Sequence, residues 1–474
     1  MRYLIGLDLG TTTVKATVYC EDGTPVSDAS LERILLTPKE GYYEQDANTW
    51  YEDSCKVIKE ATREINESEI VGLSISSQGI TTVPVDENLN PLNNAINWMD
   101  VRPVESWNSF IDKLGLEYLR KTTGYPVAYD VPKCVAKMIW VKENLPDVYK
   151  KTKYFLMPAS FVTAKLTGKV LTDPTMAAGS LLYSNKQKKY DKKIIDASGI
   201  EESMLAPVVP MGTFAGRLTE SAAKNCGLTT NCIVAVGGQD QKVAAFGLDV
   251  TKGQIACSMG TSAAFEFAVE TCEFEKTPEN FKICPYVDGA YVLEGVIKTG
   301  GGAIRWLRDT VCVGEDYAQM DKEANEAPIG SHGAVFIPYL GGSPDNNGFA
   351  SFRNIGLHVS RNDLIRAVYE GIAFEAARVI KSAGVKTEEI RIYSGGCKNK
   401  LLCQILADVT AIPVVAFAHS EMGSLGAAKL AANCVGIDGN RFSQKCLSKS
   451  FKYIPQNTEE YLPVFEKYLD YLKG

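Results

Sequence analysis

From Tyr3 to Leu9 apolar and polar side chains alternate, the chain turns at Gly10-Thr11-Thr12-Thr13, and a β-rich run leads out from Val14 to Tyr19. This pattern predicts a β-hairpin with a small, hydroxyl-rich tip. Helical spacing follows from about Asn48 to Ile65, and Val71-Gly72-Leu73-Ser74-Ile75-Ser76 reads as a buried strand ending at Ser77-Gln78-Gly79. Val135, Met138, Ile139 and Val141 predict an amphipathic helix from Pro132 to Asn144, and Ala159 to Leu166 predicts another, stopped at Gly168. A strand from Ile233 to Val236 then enters Gly237-Gly238-Gln239-Asp240-Gln241, after which Val243 to Phe246 starts a helix.

The second half repeats the opening pattern. A strand from Gln254 to Ser258 runs into Met259-Gly260-Thr261-Ser262, and a β-rich run leaves from Ala264 to Val269. Gly300-Gly301-Gly302 opens a helix through Arg308, a long helix runs from Arg361 to Lys381 before Gly384, and the strand Ile390 to Tyr393 ends in Ser394-Gly395-Gly396. Strands and helices alternate in both halves, which predicts an α/β protein with a mixed sheet in each of two lobes. The chain has 474 residues, more than one hydrophobic core usually serves, so we place the boundary near residue 250, giving lobes 1–250 and 251–474. Gly247 and Gly253, beside that boundary, are the candidate hinge.

Composition narrows the function classes. Apolar residues make up 45% of the chain and charged residues 23%, the balance of an ordinary globular protein. Acidic residues outnumber basic ones, 57 to 50, with no basic stripe, so nucleic acid is not an expected partner. No apolar run approaches a membrane span, and the segment after Met1 lacks the apolar core of a secretory signal, so a cytoplasmic protein without membrane contact is expected. Thirteen cysteines without a Cys-x-x-Cys pair, and only three histidines, speak against zinc; Cys226 and Cys434 read as small core residues.

The turns carry the candidate chemistry. A triphosphate with its metal needs close backbone N–H groups, hydroxyl donors and a carboxylate that orients the metal's waters. Asp8-Leu9-Gly10-Thr11-Thr12-Thr13-Val14-Lys15 offers all of these on one turn: Gly10 for approach, Thr11 and Thr12 as donors, Lys15 for charge, and Asp8 for Mg²⁺. Taken alone, such a turn is also found for conformational reasons only. Gly260-Thr261-Ser262 is a second loop of the kind, and Gly395-Gly396 with Asn399 a third; no Gly-x-x-x-x-Gly-Lys-Ser/Thr loop is present.

This arrangement resembles the FGGY carbohydrate kinases, of the superfamily that includes actin and hexokinase. The likeness spans nearly the whole chain and includes Trp98-Met99-Asp100-Val101-Arg102, Lys137 to Asn144, Gly300 to Asp309, Arg366 to Gly371 and Gln404 to Asp408. It implies two actin/hexokinase-like (ribonuclease H-like) lobes with an ATP cleft between them, and ATP and Mg²⁺ as cofactors. By this resemblance Asp8 orients the metal, Thr11, Thr12 and Lys15 meet the phosphates, and Gly260 and Thr261 meet them from the second loop. Gly301 and Arg305 lie beside the phosphates and ribose, and Gly395, Gly396 and Asn399 form the adenine side.

Phosphoryl transfer asks a protein for alignment, charge stabilisation and a base for the attacking hydroxyl. Asp240, after a buried strand and between the amides of Gln239 and Gln241, resembles the family's catalytic Asp; the structural alternative is a helix N-cap. Acceptor recognition is expected of Gln78, Gly79, Trp98, Asp100, Arg102, Gln239 and Gln241, with Trp98 equally a candidate core residue.

Glycerol kinases carry Arg-Glu where Gly79-Ile80 stands, and Tyr and Phe where Pro132 and Ala264 stand, which disfavours glycerol. Xylulokinases carry Met-His at Gly79-Ile80, yet the run around Trp98 is pentulose-kinase-like, pointing to a ketopentose such as xylulose. Gly341-Gly342-Ser343-Pro344-Asp345 also departs from the family pattern. The alternatives are a kinase for another polyol or an aldonate, and a nucleotide-switch ATPase of the same superfamily. A homodimer is implied by analogy only.

Overall fold

The computed structural model describes residues 1–126, 133–271, 273–343, 348–417 and 421–473; Pro132, Pro344 and Asp345 lie outside these. The opening hairpin forms as its alternation predicts. Strand β1 (Tyr3–Leu9) pairs antiparallel with β2 (Thr13–Cys20), which pairs with β3 (Pro25–Glu32). On its other side β1 runs parallel to β4 (Ile70–Ser77). Strands β5 (Phe214–Arg217) and β6 (Ile233–Gln239) complete a six-stranded mixed sheet in the order β5-β6-β4-β1-β2-β3, with β6 parallel to β4. Leu4, Ile5, Leu7 and Leu9 are all fully buried because helices cover both faces of the central strands.

Helix α1 (Ala47–Ala61) is capped by Asp46 and ends before the expected Ile65, where the Thr62 hydroxyl donates back to the Ile58 carbonyl at 2.9 Å. Helix α2 (Cys134–Asn144) and helix α3 (Pro158–Thr167) follow, α3 stopping at Gly168 in the left-handed conformation, as its sequence predicts. Helix α4 (Pro174–Ser180) is capped by Asp173, and α5 (Asp240–Gly247) grows directly from the end of β6.

The second sheet has seven strands: β7 (Gln254–Met259), β8 (Ala263–Val269), β9 (Lys282–Pro285), β10 (Tyr291–Ile297), β11 (Glu389–Tyr393), β12 (Val414–Phe417) and β13 (Ser450–Tyr453). Their order is β9-β10-β8-β7-β11-β12-β13, with β7, β11 and β12 parallel. The β7–β8 hairpin beside parallel β11 repeats the β1–β2 hairpin beside parallel β4. Helices α6 (Gly302–Thr310), α7 (Tyr317–Glu326), α8 (Arg361–Ser382) and α9 (Lys400–Thr410) pack around this lobe, α8 opening on a capping box between Ser360 and Asp363.

Two large hydrophobic cores result, one centred on each sheet. The chain does not divide cleanly between them, because α10 (Met422–Cys434) returns to lie on β1 and β4. Contact there is backbone to backbone: a Cβ on Gly6 would stand 1.8 Å from the Ser424 carbonyl oxygen. Gly247, expected as a hinge, instead lies where α5 meets α10, and its Cβ would stand 2.6 Å from the Met422 oxygen. Close helix packing is therefore the reason for that glycine. No helix among the described residues is long and apolar enough to cross a membrane. None of the described cysteines is in a disulfide, and most are buried.

Candidate active site

The ends of the parallel strands and the hairpin tips open onto three adjoining cavities. The first, of about 410 Å³, is lined by Gly260 and Thr261 from the β7–β8 tip, Gly301 and Arg305 at the start of α6, and Gly395, Gly396 and Asn399 after β11. These loops are locked together. Gly300 and Gly302 donate backbone bonds to the Thr261 carbonyl at 2.8 and 3.1 Å, and Arg305 bonds the Thr261 hydroxyl. A Cβ on Gly396 would stand 2.3 Å from Cγ of Met259, so only a glycine lets this turn close on the tip. Ile304, Tyr317 and Leu402 supply apolar walls, and Asp321 a carboxylate.

The second cavity, about 390 Å³, shares Gly395 and Lys398 with the first. Asp8, Asp240 and Glu421 line it. Burial first, then the charge of Asp240, pushes the Asp8 carboxyl up to about 7, although the Ser76 hydroxyl donates to it at 2.9 Å. Among the described residues no three His, Cys, Asp or Glu side chains are grouped to chelate a metal directly. Acidic oxygens set apart around one cavity, with a carboxylate that a cation would relieve, fit a hard ion held largely through water and ligand oxygens.

Asp240 and Gln241 belong to both the second cavity and the third, which has a volume of about 350 Å³. Asp240 is the first residue of α5, and the N-cap position falls on Gln239. Its Oδ1 accepts from the Gln241 amide at 2.8 Å and from the Gln239 side chain. Its Oδ2 has no donor among the described residues. Burial raises its pKa to about 6 against the pull of the Gln241 amide and Lys242. The geometry is that of an oriented carboxylate with one oxygen left for incoming chemistry.

The third cavity gathers Gln78, Gly79, Trp98, Gln239 and Gln241 as expected, together with Thr11. Trp98 is 40% exposed, so the core reading does not hold for it. Its Nε1 donates to the Thr11 hydroxyl at 3.0 Å, and Thr11 in turn donates to Gln78 Oε1 at 2.9 Å. Gln78 is thereby fixed, with its amide donating to Gln45 at 2.7 Å. Gln239 Oε1 is buried on the same wall without a partner among the described residues.

Other expected residues stand elsewhere. Asp100 and Arg102 line none of these cavities; they form a buried ion pair extended to Glu44 at 2.8 Å, with the guanidinium over Tyr42. Their short spacing serves to brace the loop that carries Trp98. Thr12 is exposed at the hairpin tip, and Lys15 lines none of the three cavities but pairs with Asp28 at 3.2 Å and, at 3.7 Å, with Glu421, a residue of the second cavity's wall.

A cluster of charges that sequence spacing does not reveal reaches the third cavity through Lys242, Lys282 and Glu294. Lys242 on α5 bonds Glu266 on β8 at 3.1 Å and Glu294 on β10, and Lys282 on β9 also bonds Glu294. Glu294 takes two lysines and is held below the usual carboxylate range despite its burial, whereas Glu266, buried with one, is pushed up to about 8. No local pattern links these four residues, which meet only through sheet register and the packing of α5 on the second sheet.

The model of the FGGY family of carbohydrate kinases matches with its N-terminal domain at residues 3–247 and its C-terminal domain at residues 255–434. A xylulose kinase of Staphylococcus xylosus is 28% identical over 99% of both chains. A glycerol kinase of Shewanella woodyi is 30% identical over 92% of this chain and 91% of its own. A crystal structure of ligand-bound xylulose kinase from Lactobacillus acidophilus superposes with a TM-score of 0.90 at 24% identity, over 99% of this chain and 97% of that one, a likeness of fold.

Proposed function

The chain belongs to the FGGY family of carbohydrate kinases, and from that premise we propose that it transfers the γ-phosphoryl group of Mg-ATP to a hydroxyl of a ketopentose such as xylulose, with Asp240 as general base. The observation that carries this reading is the position of Asp240 on the wall common to the second and third cavities. The adenosine fits the first cavity, the triphosphate reaches over Gly260, Thr261 and Gly395 into the second, and the sugar occupies the third.

In the transfer step Asp240 Oδ2 takes the proton of the attacking hydroxyl as its oxygen bonds to the γ-phosphorus and the bond to the β–γ bridging oxygen breaks, releasing ADP. Gln239 and the Gln241 amide keep Oδ1 occupied, which turns Oδ2 toward the acceptor. Asp8, with Glu421 beside it, would hold Mg²⁺ through water; bound there, the cation neutralises phosphate charge. Gln78, Gln239 and Gln241 bind sugar hydroxyls, and Trp98 packs on a C–H face.

The choice of a ketopentose leans on the xylulose kinase among the relatives and on the pentulose-kinase-like run around Trp98. The experiment is ADP release measured with a panel of ketoses, polyols and aldonates. Strong stimulation by xylulose or a close ketose supports the reading, preference for another acceptor redirects it to a different polyol or an aldonate, and sugar-independent hydrolysis replaces it with a nucleotide switch.

A further inference from the structure

We propose that Lys282 is an acceptor-binding residue, supplied to the sugar cavity by the second lobe and held in place by Glu294. The inference deepens the reading above and rests on it. Lys282 begins β9 directly opposite Glu294 on β10, a cross-strand pair on one face of the sheet. Both residues line the third cavity together with Asp240, Gln78 and Trp98.

Burial separates the four charges of the cluster by role. The side chains of Lys242, Glu266 and Glu294 are 4%, 1% and 3% exposed, and that of Lys282 is 27% exposed. Of the four, Lys282 is the most open to a ligand. Its ammonium gives one hydrogen to Glu294 and stands 6.0 Å from the centre of the Tyr125 ring on the same cavity wall, and among the described residues no oxygen or nitrogen acceptor takes the remaining two. Two N–H groups are thus left to donate to sugar oxygens. Glu294 fixes the lysine's direction, because its own oxygens are divided between Lys282 and Lys242.

A purely structural role explains Lys242 and not Lys282. Lys242 sits on α5 of the first lobe and ties it to β8 and β10 of the second. Lys282 and Glu294 belong to neighbouring strands of one sheet, so their pair adds no link between lobes. Buried ion pairs rarely stabilise a fold more than apolar residues of the same shape, which leaves positioning as the use of the arrangement. A sugar held by Gln78, Trp98 and Gln241 from one side and Lys282 from the other would touch both lobes, and its presence would favour their close approach.

The test is steady-state kinetics of Lys282→Met, Lys282→Gln and Lys282→Arg with xylulose, or with whichever acceptor of the panel wild type prefers. The Met variant is expected to raise the acceptor KM at least tenfold while the ATP KM stays within twofold, and the Arg variant to recover most of the loss. If the Met variant does not fold, the Gln variant replaces it: its amide lacks the charge and the reach of the ammonium, and it is expected to raise the acceptor KM in the same direction while the ATP KM stays within twofold. An unchanged acceptor KM in a folded variant, or equal shifts in both KM values, overturns the role of Lys282 and leaves the kinase reading standing. Absence of turnover by wild type with every sugar removes the kinase reading and this inference together.

Discussion

Asp8 and Asp240 face one cavity, and the charge of Asp240 adds to burial in holding the Asp8 carboxyl at about 7. Asp240 itself is raised to about 6. A base that must be ionised loses activity as it takes up a proton, so kcat/KM is expected to fall about tenfold per pH unit below pH 6 and to level off above about 7. A bound cation favours the ionised form of Asp8 and moves that part of the profile to lower pH. A flat profile from pH 5 to 8 at saturating Mg-ATP contradicts the assignment of the base.

Replacing Asp240 with Asn keeps the shape and the contact with the Gln241 amide while removing the proton acceptor. Turnover is expected to drop about 10²–10⁴-fold, the usual weight of a general base, with ATP affinity within a few fold of wild type by direct titration. Near-normal turnover would remove Asp240 from the mechanism.

The same substitution tests stability with a definite sign. A carboxyl whose folded pKa stands above its unfolded value binds a proton more tightly when folded, so it favours the fold at low pH and loses that contribution as pH rises through about 6. Asp240→Asn should therefore be more stable than wild type at pH 8, by on the order of 3 kcal/mol without ligands, and nearly equal to it at pH 4. Denaturant titrations at the two pH values measure the difference. A variant destabilised equally at both would indicate that the carboxylate is structural.

Asn399 donates to Asp321 Oδ1 at 2.8 Å and the Tyr369 hydroxyl donates to the same oxygen at 2.6 Å. Oδ2 is left without a donor among the described residues, on the wall of the cavity assigned to the base. In the proposed nucleotide site a carboxylate there would accept from the 6-amino group of adenine, where guanine carries a carbonyl oxygen instead. Asp321→Ala is expected to raise the ATP KM about tenfold, the loss of one charge-assisted hydrogen bond, and to change the GTP KM little. Competition assays with both nucleotides settle it: equal weakening of the two would mean that Asp321 only supports Asn399.

Much of this architecture is visible in the residues themselves. Hairpins such as Tyr3–Leu9 with Val14–Tyr19 show in local alternation, and Gly260, Gly395 and Asp240 show because tight turns after buried strands demand small or capping residues. Trp98 was ambiguous because an indole suits a core or a platform equally, and only its exposure decides. Asp100 and Arg102 were expected at the sugar because charged residues beside a tryptophan suit hydroxyls; their true partner, Glu44, is distant in sequence. The cluster of Lys242, Glu266, Lys282 and Glu294 was invisible for the same reason. Each is an ordinary charged residue until sheet register brings them together. The return of α10 to the first lobe was likewise hidden, since a glycine- and alanine-rich helix does not announce which sheet it will cover.

That returning helix yields the most direct test of the packing. Gly426 on α10 crosses α5 so closely that a Cβ would stand 1.9 Å from the Val243 carbonyl oxygen, a backbone atom that cannot swing aside. Gly426→Ala must push α10 away from α5, and α5 carries Asp240 at its first residue. Overpacking of this kind commonly costs about 1–3 kcal/mol. The expected outcome is a lower melting temperature together with a fall in kcat, as Asp240 shifts relative to the phosphate. Gly436→Ala is the control, since no atom lies within 4 Å of its added Cβ, although its positive φ adds a small strain. Should Gly426→Ala melt and turn over like wild type, the close crossing of α5 and α10 would be wrong, and with it the account of how the second half of the chain sets the catalytic carboxylate.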